Sequence, residues 1–301
     1  AACAVDSHSP PLMITPERLE KRRQGLEQLF KHLPVRNRMD ADPIEIPHRY
    51  KDPREIEIAG FIAAVLAYGR VDLFKACVDK ILALADGGLY DYLKYFNAKQ
   101  ERLRFEGIYY RFNTAQDLFD LMLLLSRVVK KHQSIGTLFQ ELYQGKDCDI
   151  GPTLSRFVAV LRDILPSKPS RGLSYLLPSP ASGSACKRLN LFLRWMIRKK
   201  DGLDFGLWKT ISPAKLVIPL DTHIIRISQY LQLTTRKSPD WKMAAEITEA
   251  LRDCDPLDPL RYDFSLCHLG ISGACPVKPE AAKCRVCVLQ EVCLQGQAFS
   301  A

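Results

Sequence analysis

The chain has 301 residues, of which 47% are hydrophobic, enough for one substantial core or two modest domains. Its formal net charge is +9, which favours an acidic partner, and nucleic acid is the most common partner of that kind. The longest apolar run, residues 58–68, is too short to span a bilayer. The sequence therefore predicts a soluble protein with no membrane contact.

Residues 1–12, AACAVDSHSPPL, lack the basic start and the apolar stretch of a signal peptide. We interpret them as a leader or tag-like segment that lies outside the fold, and we expect a cytoplasmic protein. A cytoplasmic setting argues against disulfides, so the ten cysteines indicate metal binding or packing in the core.

Apolar residues recur at three- and four-residue steps in six segments, which predicts helices over residues 53–70, 115–132, 134–145, 152–165, 187–200 and 241–254. Thr114 and Ser134 are expected to begin two of them, and Gly145 is expected to end one. No segment alternates convincingly with period two. We therefore predict an all-α fold.

Four cysteines lie close together near the end of the sequence with the spacing C-x8-C-x2-C-x5-C; they are Cys275, Cys284, Cys287 and Cys293. The central C-x2-C pair is typical of a tight turn that chelates one metal centre. Zinc and an iron–sulfur cluster both accept four thiolates. The spacing alone does not choose between them.

A basic helix is predicted directly after the loop LPSPASGS, residues 177–184. Helical spacing places Lys187, Arg194 and Arg198 on one face and apolar residues on the opposite face, so we expect a basic stripe that points outward. A solvated charged face is the simpler interpretation. Lys187, however, stands in the first turn, where the helix dipole disfavours an ammonium group and the backbone can bind a phosphate. A neutral amine there would suit Schiff-base chemistry.

Asp221, in the segment IPLDTHIIRI, is placed to cap a helix that begins at Thr222. Capping alone explains an aspartate at this position. The functional alternative is a carboxylate that activates a nucleophile or stabilises a developing cation.

The order of these parts resembles the helix-hairpin-helix DNA glycosylases of the endonuclease III superfamily. Residues 52–72 are similar to the first long helix and wedge loop of that family, residues 220–227 to the segment with its catalytic aspartate, and residues 262–276 to the helix that leads into its metal cluster. The four cysteines match the cluster ligands in order.

The sequence departs from the family pattern at two places. The first cysteine gap is x8 where the family has x6. The hairpin reads LPSPASG where the family has Leu-Pro-Gly-x-Gly, and Pro180 lacks an N–H, so phosphate contact by this loop is weakened. The long interval from Lys187 to Asp221, filled by residues 201–215, resembles the archaeal 8-oxoguanine glycosylases.

The resemblance implies two helical domains with the active-site cleft between them. Residues 49–212 would form a central barrel domain that contains the hairpin-like loop 177–184. Residues 13–48 and 213–301 would form the other domain, closed by the cluster loop.

The resemblance also implies a monomeric, nucleoid-associated DNA glycosylase with AP lyase activity that excises a damaged base from duplex DNA, with 8-oxoguanine preferred. Asp221 and Lys187 would be catalytic, and the four cysteines would bind a [4Fe–4S] cluster. The expected DNA contacts are Tyr68, Arg70, Ser182, Gly183, Ser184, Arg194, Arg198, Lys283 and Arg285. Tyr68 or Arg70 would fill the gap that the extruded base leaves.

Two alternatives stay open. One is a non-enzymatic nucleic-acid-binding protein with structural zinc, and the other is a monofunctional glycosylase for uracil or another modified base, or a relative that acts on RNA. His223 and His268 are expected to be packed, hydrogen-bonded residues. Six aromatic residues are candidates for base stacking, although most are expected in the core: Tyr109, Tyr110, Phe112, Phe192, Trp195 and Trp208.

Overall fold

The computed structural model describes residues 14–32, 36–40 and 42–299. Within these ranges the fold is all-α, as predicted, and β pairing is limited to two isolated bridges, Tyr110 with Asn113 and Ser184 with Asp240. None of the described helices is both long and apolar enough to cross a membrane. The helices are α1 (Pro16–His32), α2 (Arg36–Met39), α3 (Glu45–His48), α4 (Pro53–Leu66), α5 (Val71–Leu82), α6 (Leu89–Lys94), α7 (Ala98–Glu101), α8 (Ala115–His132), α9 (Ile135–Leu142), α10 (Gly151–Asp163), α11 (Arg171–Leu176), α12 (Lys187–Ile197), α13 (Thr222–Tyr230), α14 (Trp241–Arg252), α15 (Asp263–Ile271), α16 (Ala281–Arg285) and α17 (Leu294–Gln297).

The six predicted helices correspond to α4, α8, α9, α10, α12 and α14. Thr114 and Ser134 cap α8 and α9 as expected, because each side chain accepts a hydrogen bond from a backbone N–H in the first turn. The prediction that Gly145 ends α9 is wrong, since that helix stops at Leu142.

The chain divides into two compact units. Among the described residues, the central unit comprises 36–40, 42–182 and 188–211, and the terminal unit comprises 14–32, 183–187 and 212–299. The described residues before 49 are therefore split, because α1 belongs to the terminal unit while α2 and α3 belong to the central one. Residues 183–187, which begin within the hairpin-like loop, also belong to the terminal unit.

The core of the central unit is built around α4, which is buried from Ile56 to Leu66. Phe61 of this helix packs edge-on against Phe157 of α10 and Phe192 of α12. Glu57 is a buried carboxylate on the same helix, and it accepts hydrogen bonds from Trp208 Nε1 at 2.7 Å and Gly136 N at 3.0 Å. These two donors offset the cost of burying the carboxylate.

The terminal unit packs α13, α14 and α15 with the long helix α1. Leu26 of α1, Ile247 of α14 and Leu266 of α15 are fully buried. Polar contacts also hold α1, since Glu27 accepts hydrogen bonds from Tyr262 at 2.7 Å and Arg261 at 3.1 Å. Sequence-distant segments thus share one core.

The predicted basic stripe on α12 is wrong. Arg194 and Arg198 are only 2% and 4% exposed, so neither can contact DNA from this position. Both guanidinium groups pair with the fully buried carboxylate of Asp204, Arg194 at 3.3 Å and Arg198 more closely. The outward face predicted from helical spacing is in fact covered.

The segment that follows α12, residues 199–208, covers this face of the helix. It folds back so that Phe205 N donates to Trp195 O at 2.8 Å and Trp208 N donates to Met196 O at 2.9 Å. These bonds satisfy carbonyl groups at the C-terminal end of the helix, which have no partner within it. Part of the long interval between Lys187 and Asp221 therefore serves to bury and neutralise the arginines of α12.

We expect Asp204→Asn to lower the free energy of unfolding by about 3–5 kcal/mol, because two buried guanidinium groups lose the negative charge of the carboxylate that they share. Urea denaturation followed by circular dichroism measures the change. Asp201→Asn is the matched control, since Asp201 pairs with Arg198 at 3.3 Å but its side chain is 30% exposed. Its expected cost is below about 1 kcal/mol. Equal losses in the two variants would contradict this account of α12.

Candidate active site

Asp221 caps helix α13, as the sequence predicts. Its Oδ1 accepts a hydrogen bond from Ile224 N at 2.7 Å, and its backbone is extended, which is typical of an N-cap residue. The side chain is 13% exposed. One carboxylate oxygen is therefore committed to the helix, and the other, Oδ2, remains for other partners.

Lys187 is the first residue of α12, and its Nζ lies 3.8 Å from Asp221 Oδ2. The side chain is 43% exposed, so the amine can reach a ligand. The structure thus brings together the two residues that were predicted to be catalytic, although 33 residues separate them in the sequence.

The residues before Lys187 hold it in place. Gly183 O accepts a hydrogen bond from Trp241 N at 3.0 Å, and Ser184 forms an isolated bridge with Asp240, so this strip is fixed to the start of α14. Cys186 is buried and has a φ of 48°, a left-handed conformation that is unfavourable for a residue with a side chain. Backbone strain of this kind is often found beside functional residues.

Cys267 of α15 is a third member of the site, and the sequence analysis missed it. Its Sγ lies 3.1 Å from Asp221 Oδ2 and is placed to donate its proton to that oxygen. The neighbouring Gly270 lets α13 come close, because a Cβ there would lie 2.5 Å from His223 Nδ1. Cys267 and Gly270 are small residues three positions apart on one face of α15, and this pattern could have indicated the close contact with α13.

The histidine predictions hold only in part. His223 packs against Gly270, but its buried Nδ1 has no hydrogen-bond partner among the described residues. His268 is buried and its ring packs on Phe264, with centroids 4.1 Å apart.

The far end of α13 is tied to the cysteine-rich segment. Arg226 donates to Cys275 O at 2.7 Å, and the hydroxyl of Tyr230 donates to Val277 O at 3.2 Å. A single helix of nine residues therefore carries Asp221 at its N-terminus and contacts the first cysteine of the group near its C-terminus.

All four C-terminal cysteines are partly buried, and none of them is in a disulfide. The pKa of the Cys275 thiol is raised to about 11, chiefly by burial and also by the negative charge of Cys293, Cys287 and Cys284, while Arg226 opposes the shift. The four thiols are therefore close enough to disfavour one another as thiolates, and a bound cationic centre would remove that penalty. As placed, no three Cys, His, Asp or Glu side chains of the described chain converge tightly enough to hold a metal ion.

The remaining cysteines are not uniform. Cys77, Cys186 and Cys254 are buried, as expected of small apolar side chains. Cys148 is exposed and therefore does not follow that expectation.

The other predicted DNA contacts have different surroundings. Ser182 and Gly183 are exposed, and Lys283 and Arg285 are exposed on the short helix α16 beside Cys284. In the central unit, Arg70 has a side chain that is 76% exposed and pairs with Asp72 at 2.7 Å.

Tyr68 does not project freely. Its hydroxyl donates to Asn113 Oδ1 at 2.5 Å, and its ring packs against those of Tyr110, Phe112 and Tyr175. Of the other aromatic candidates, Phe192, Trp195 and Trp208 are fully buried and belong to the core.

The sequence profile of a protein family described as "Protein of unknown function (DUF2400)" matches residues 42–272. The chain belongs to the DUF2400 family. No curated protein and no solved structure matches it. The DUF2400 region contains Lys187, Asp221 and Cys267 and ends before Cys275, so the candidate site lies within the family's shared region and the four cysteines follow it.

The N-cap role of Asp221 predicts how two substitutions differ. Asp221→Ala should lower the free energy of unfolding by about 1 kcal/mol, because Ile224 N loses its acceptor, whereas Asp221→Asn should change it little, since asparagine also caps well. Thermal denaturation of both variants measures the difference. Equal stability of the Ala and Asn variants would contradict the capping role and would leave Asp221 with no structural task.

Proposed function

We propose that this DUF2400 protein is a DNA glycosylase with AP lyase activity that removes a damaged base from duplex DNA. The observation that carries the proposal is the approach of Lys187 Nζ to Asp221 Oδ2 at 3.8 Å. An amine beside a carboxylate, each at a helix start and each partly exposed, is the pair of groups that Schiff-base glycosylase chemistry requires.

In the proposed reaction, the neutral amine of Lys187 attacks C1′ of the sugar while the bond between C1′ and the base nitrogen breaks. The base leaves with the electron pair of that bond and takes up a proton. Asp221 Oδ2 stabilises the positive charge that develops on the sugar and accepts a proton from the attacking nitrogen. The sugar ring then opens to an imine, and loss of a C2′ proton expels the 3′ phosphate by β-elimination.

Cys267 acts in this scheme as a positioning residue. Asp221 is held through Oδ1 by Ile224 N and through Oδ2 by the thiol of Cys267 at 3.1 Å. The S–H group is placed to donate to Oδ2 and so orients the carboxylate, whose Oδ2 also lies 3.8 Å from Lys187 Nζ.

The four C-terminal cysteines are proposed to hold a [4Fe–4S] cluster, with zinc as the less favoured metal. Their thiolate donor set suits either centre, and resemblance to the endonuclease III superfamily favours iron. The bound cluster would supply structural order and not chemistry. Through Arg226, whose guanidinium holds Cys275 O, an ordered cysteine segment would steady the helix that carries Asp221.

The proposed DNA contacts of the terminal unit are phosphate contacts. Gly183 and Ser184 lie four and three residues before Lys187 in the chain, and Lys283 and Arg285 are exposed on α16. These contacts position the duplex but carry no information about its sequence. The choice of lesion, an oxidised purine such as 8-oxoguanine, rests on the resemblance of the long interval between Lys187 and Asp221 to the archaeal enzymes.

We expect the purified protein to release 8-oxoguanine from a single-lesion duplex faster than it releases uracil or an oxidised pyrimidine. Asp221→Asn should keep fold and DNA binding but slow release by about a hundredfold or more, the scale of losing a positioned acid–base group. Lys187→Gln should abolish borohydride trapping of protein on DNA, because trapping requires an imine.

Lys242→Gln is the matched control, since Lys242 is also an exposed lysine in the first turn of a helix of the same unit. Equal trapping by the Lys187 and Lys242 variants would show that the lysine assignment is wrong. If base is released but no protein is trapped, the imine mechanism is wrong, and a water molecule activated by Asp221 would be the nucleophile. DNA binding with no release of any base would favour a non-enzymatic binding protein.

Metal analysis tests the cluster separately. Protein purified anaerobically should contain iron and sulfide in nearly equal amounts and absorb visible light, and Cys287→Ala should lose both. Cys254→Ala, which changes a buried cysteine of the same unit outside the group, should keep them. Stoichiometric zinc without iron would disprove the iron–sulfur assignment and leave the proposed base excision untouched.

A further inference from the structure

The central unit carries an aromatic cluster, which consists of Tyr68, Phe112 and Tyr175. The ring centroids of Tyr68 and Phe112 are 5.6 Å apart, those of Phe112 and Tyr175 are 4.7 Å apart, and those of Tyr68 and Tyr175 are 5.2 Å apart. Phe112 is 52% exposed and Tyr175 is 43% exposed. Rings packed in this way usually form part of a core, whereas these two leave much of their surface open to solvent.

The backbone holds Phe112 outward. Tyr110 and Asn113 exchange two backbone hydrogen bonds of 2.9 and 2.8 Å, so Arg111 and Phe112 form the tip of a tight two-residue turn. Arg111 has a φ of 55°, which is costly for a residue with a side chain. The fold therefore tolerates local strain to keep an apolar ring at the surface.

The turn is also fixed to the loop that follows α4. Gly69 has a φ of 79°, and a Cβ there would lie 2.5 Å from Arg111 Nη1 and 2.7 Å from the hydroxyl of Tyr110. The hydroxyl of Tyr110 donates a hydrogen bond to Tyr68 O, which ties the turn to this loop. The exposed ring of Phe112 is thus preorganised, so little conformational entropy is lost when it binds a ligand.

Two guanidinium groups lie close to the rings of the aromatic cluster. Arg188 lies behind it, 4.3 Å from the ring centroid of Tyr175 and 5.2 Å from that of Tyr68, and is buried. Arg111 lies 5.8 Å from the Tyr68 centroid and is exposed. A surface that combines open aromatic rings with fixed positive charge is complementary to an unpaired base attached to a phosphate backbone.

We infer that Phe112 and Tyr175 form a stacking platform for an unpaired nucleobase, with Arg111 beside the phosphate of that nucleotide. The inference rests on the proposed action on nucleic acid, and it selects Phe112 from the six aromatic residues that the sequence analysis named as candidates for base stacking. Tyr68 instead supports the platform, because its hydroxyl is bonded to Asn113 and its ring is packed against three others.

The test uses the full chain and two undamaged probes: a fluorescein-labelled single-stranded oligonucleotide, and a duplex with one unpaired 2-aminopurine, whose fluorescence falls when it stacks. Phe112→Ala and Tyr175→Ala should each weaken binding by about tenfold, the usual effect of removing one stacked ring, and should reduce the quenching of 2-aminopurine. Phe112→Trp should keep both properties, whereas Phe112→Leu should lose most of the quenching.

Tyr95→Ala is the matched control, because Tyr95 is 72% exposed in the same unit and has Lys94 Nζ 5.5 Å from its ring centroid, but it lies outside the aromatic cluster. It should bind and quench like the wild type. Thermal denaturation of every variant separates loss of folding from loss of binding.

Equal binding by the Phe112→Ala and Tyr95→Ala variants would overturn the proposed platform. A wild-type protein that binds neither probe would also overturn it and would favour a protein partner for this surface. This test can be read separately from the test of base release. If the protein quenches 2-aminopurine but excises no base, the platform is supported and the glycosylase proposal is contradicted. If the protein excises the base and Phe112→Ala quenches like the wild type, the glycosylase proposal is supported and the platform is contradicted.

Discussion

The hydrogen bond from Ile224 N to Asp221 Oδ1 is the constraint on which the candidate site depends. It fixes the carboxylate at the start of α13 and commits one oxygen to the helix, so that only Oδ2 is available to Lys187 and Cys267. Helix α13 is in turn fixed in two ways: Gly270 of α15 admits the ring of His223, and Arg226 and Tyr230 bond the segment that contains Cys275. The capping role of Asp221 and its proposed chemical role are therefore compatible, because each uses a different oxygen.

Buried charge explains part of the long interval between Lys187 and Asp221. Residues 199–208 fold back on α12 and place Asp204 between Arg194 and Arg198, so the interval completes the helix that Lys187 begins. The two guanidinium groups would be strongly unfavourable in the interior without that carboxylate. Sequence analysis placed three basic residues on one face of α12. Of these, Arg194 and Arg198 are buried, and Lys187 is exposed enough to contact a ligand.

Features that depend on interactions within one helix or one turn could be predicted from the sequence. The periodicity of apolar residues located the six predicted helices, and the N-caps at Thr114, Ser134 and Asp221 followed from side chains that accept hydrogen bonds within one turn. The basic stripe failed because helical spacing shows which residues share a face but not what covers that face. Asp204 lies outside the helix, and no pattern within α12 indicates it.

Contacts between distant segments were beyond prediction from one sequence. Cys267 was interpreted only as part of the helix before the cysteines, and its contact with Asp221 depends on how α13 and α15 pack. The aromatic cluster joins the loop after α4, the turn at residues 110–113 and α11, which lie far apart in the sequence. Exposure of Phe112 depends on the left-handed conformation of Arg111, and the sequence gives no sign of that conformation.

The central claim is that Lys187 and Asp221 act together on the sugar of a nucleotide. The most direct measurement is the location of the covalent bond: wild-type protein is reacted with a duplex that contains one abasic site, the imine is reduced with borohydride, and the digested adduct is sequenced by mass spectrometry. The account predicts that the sugar remnant is attached to Lys187 Nζ and that Asp221→Asn lowers the yield of the adduct. Attachment at any other lysine, with Lys187 unmodified, would contradict it.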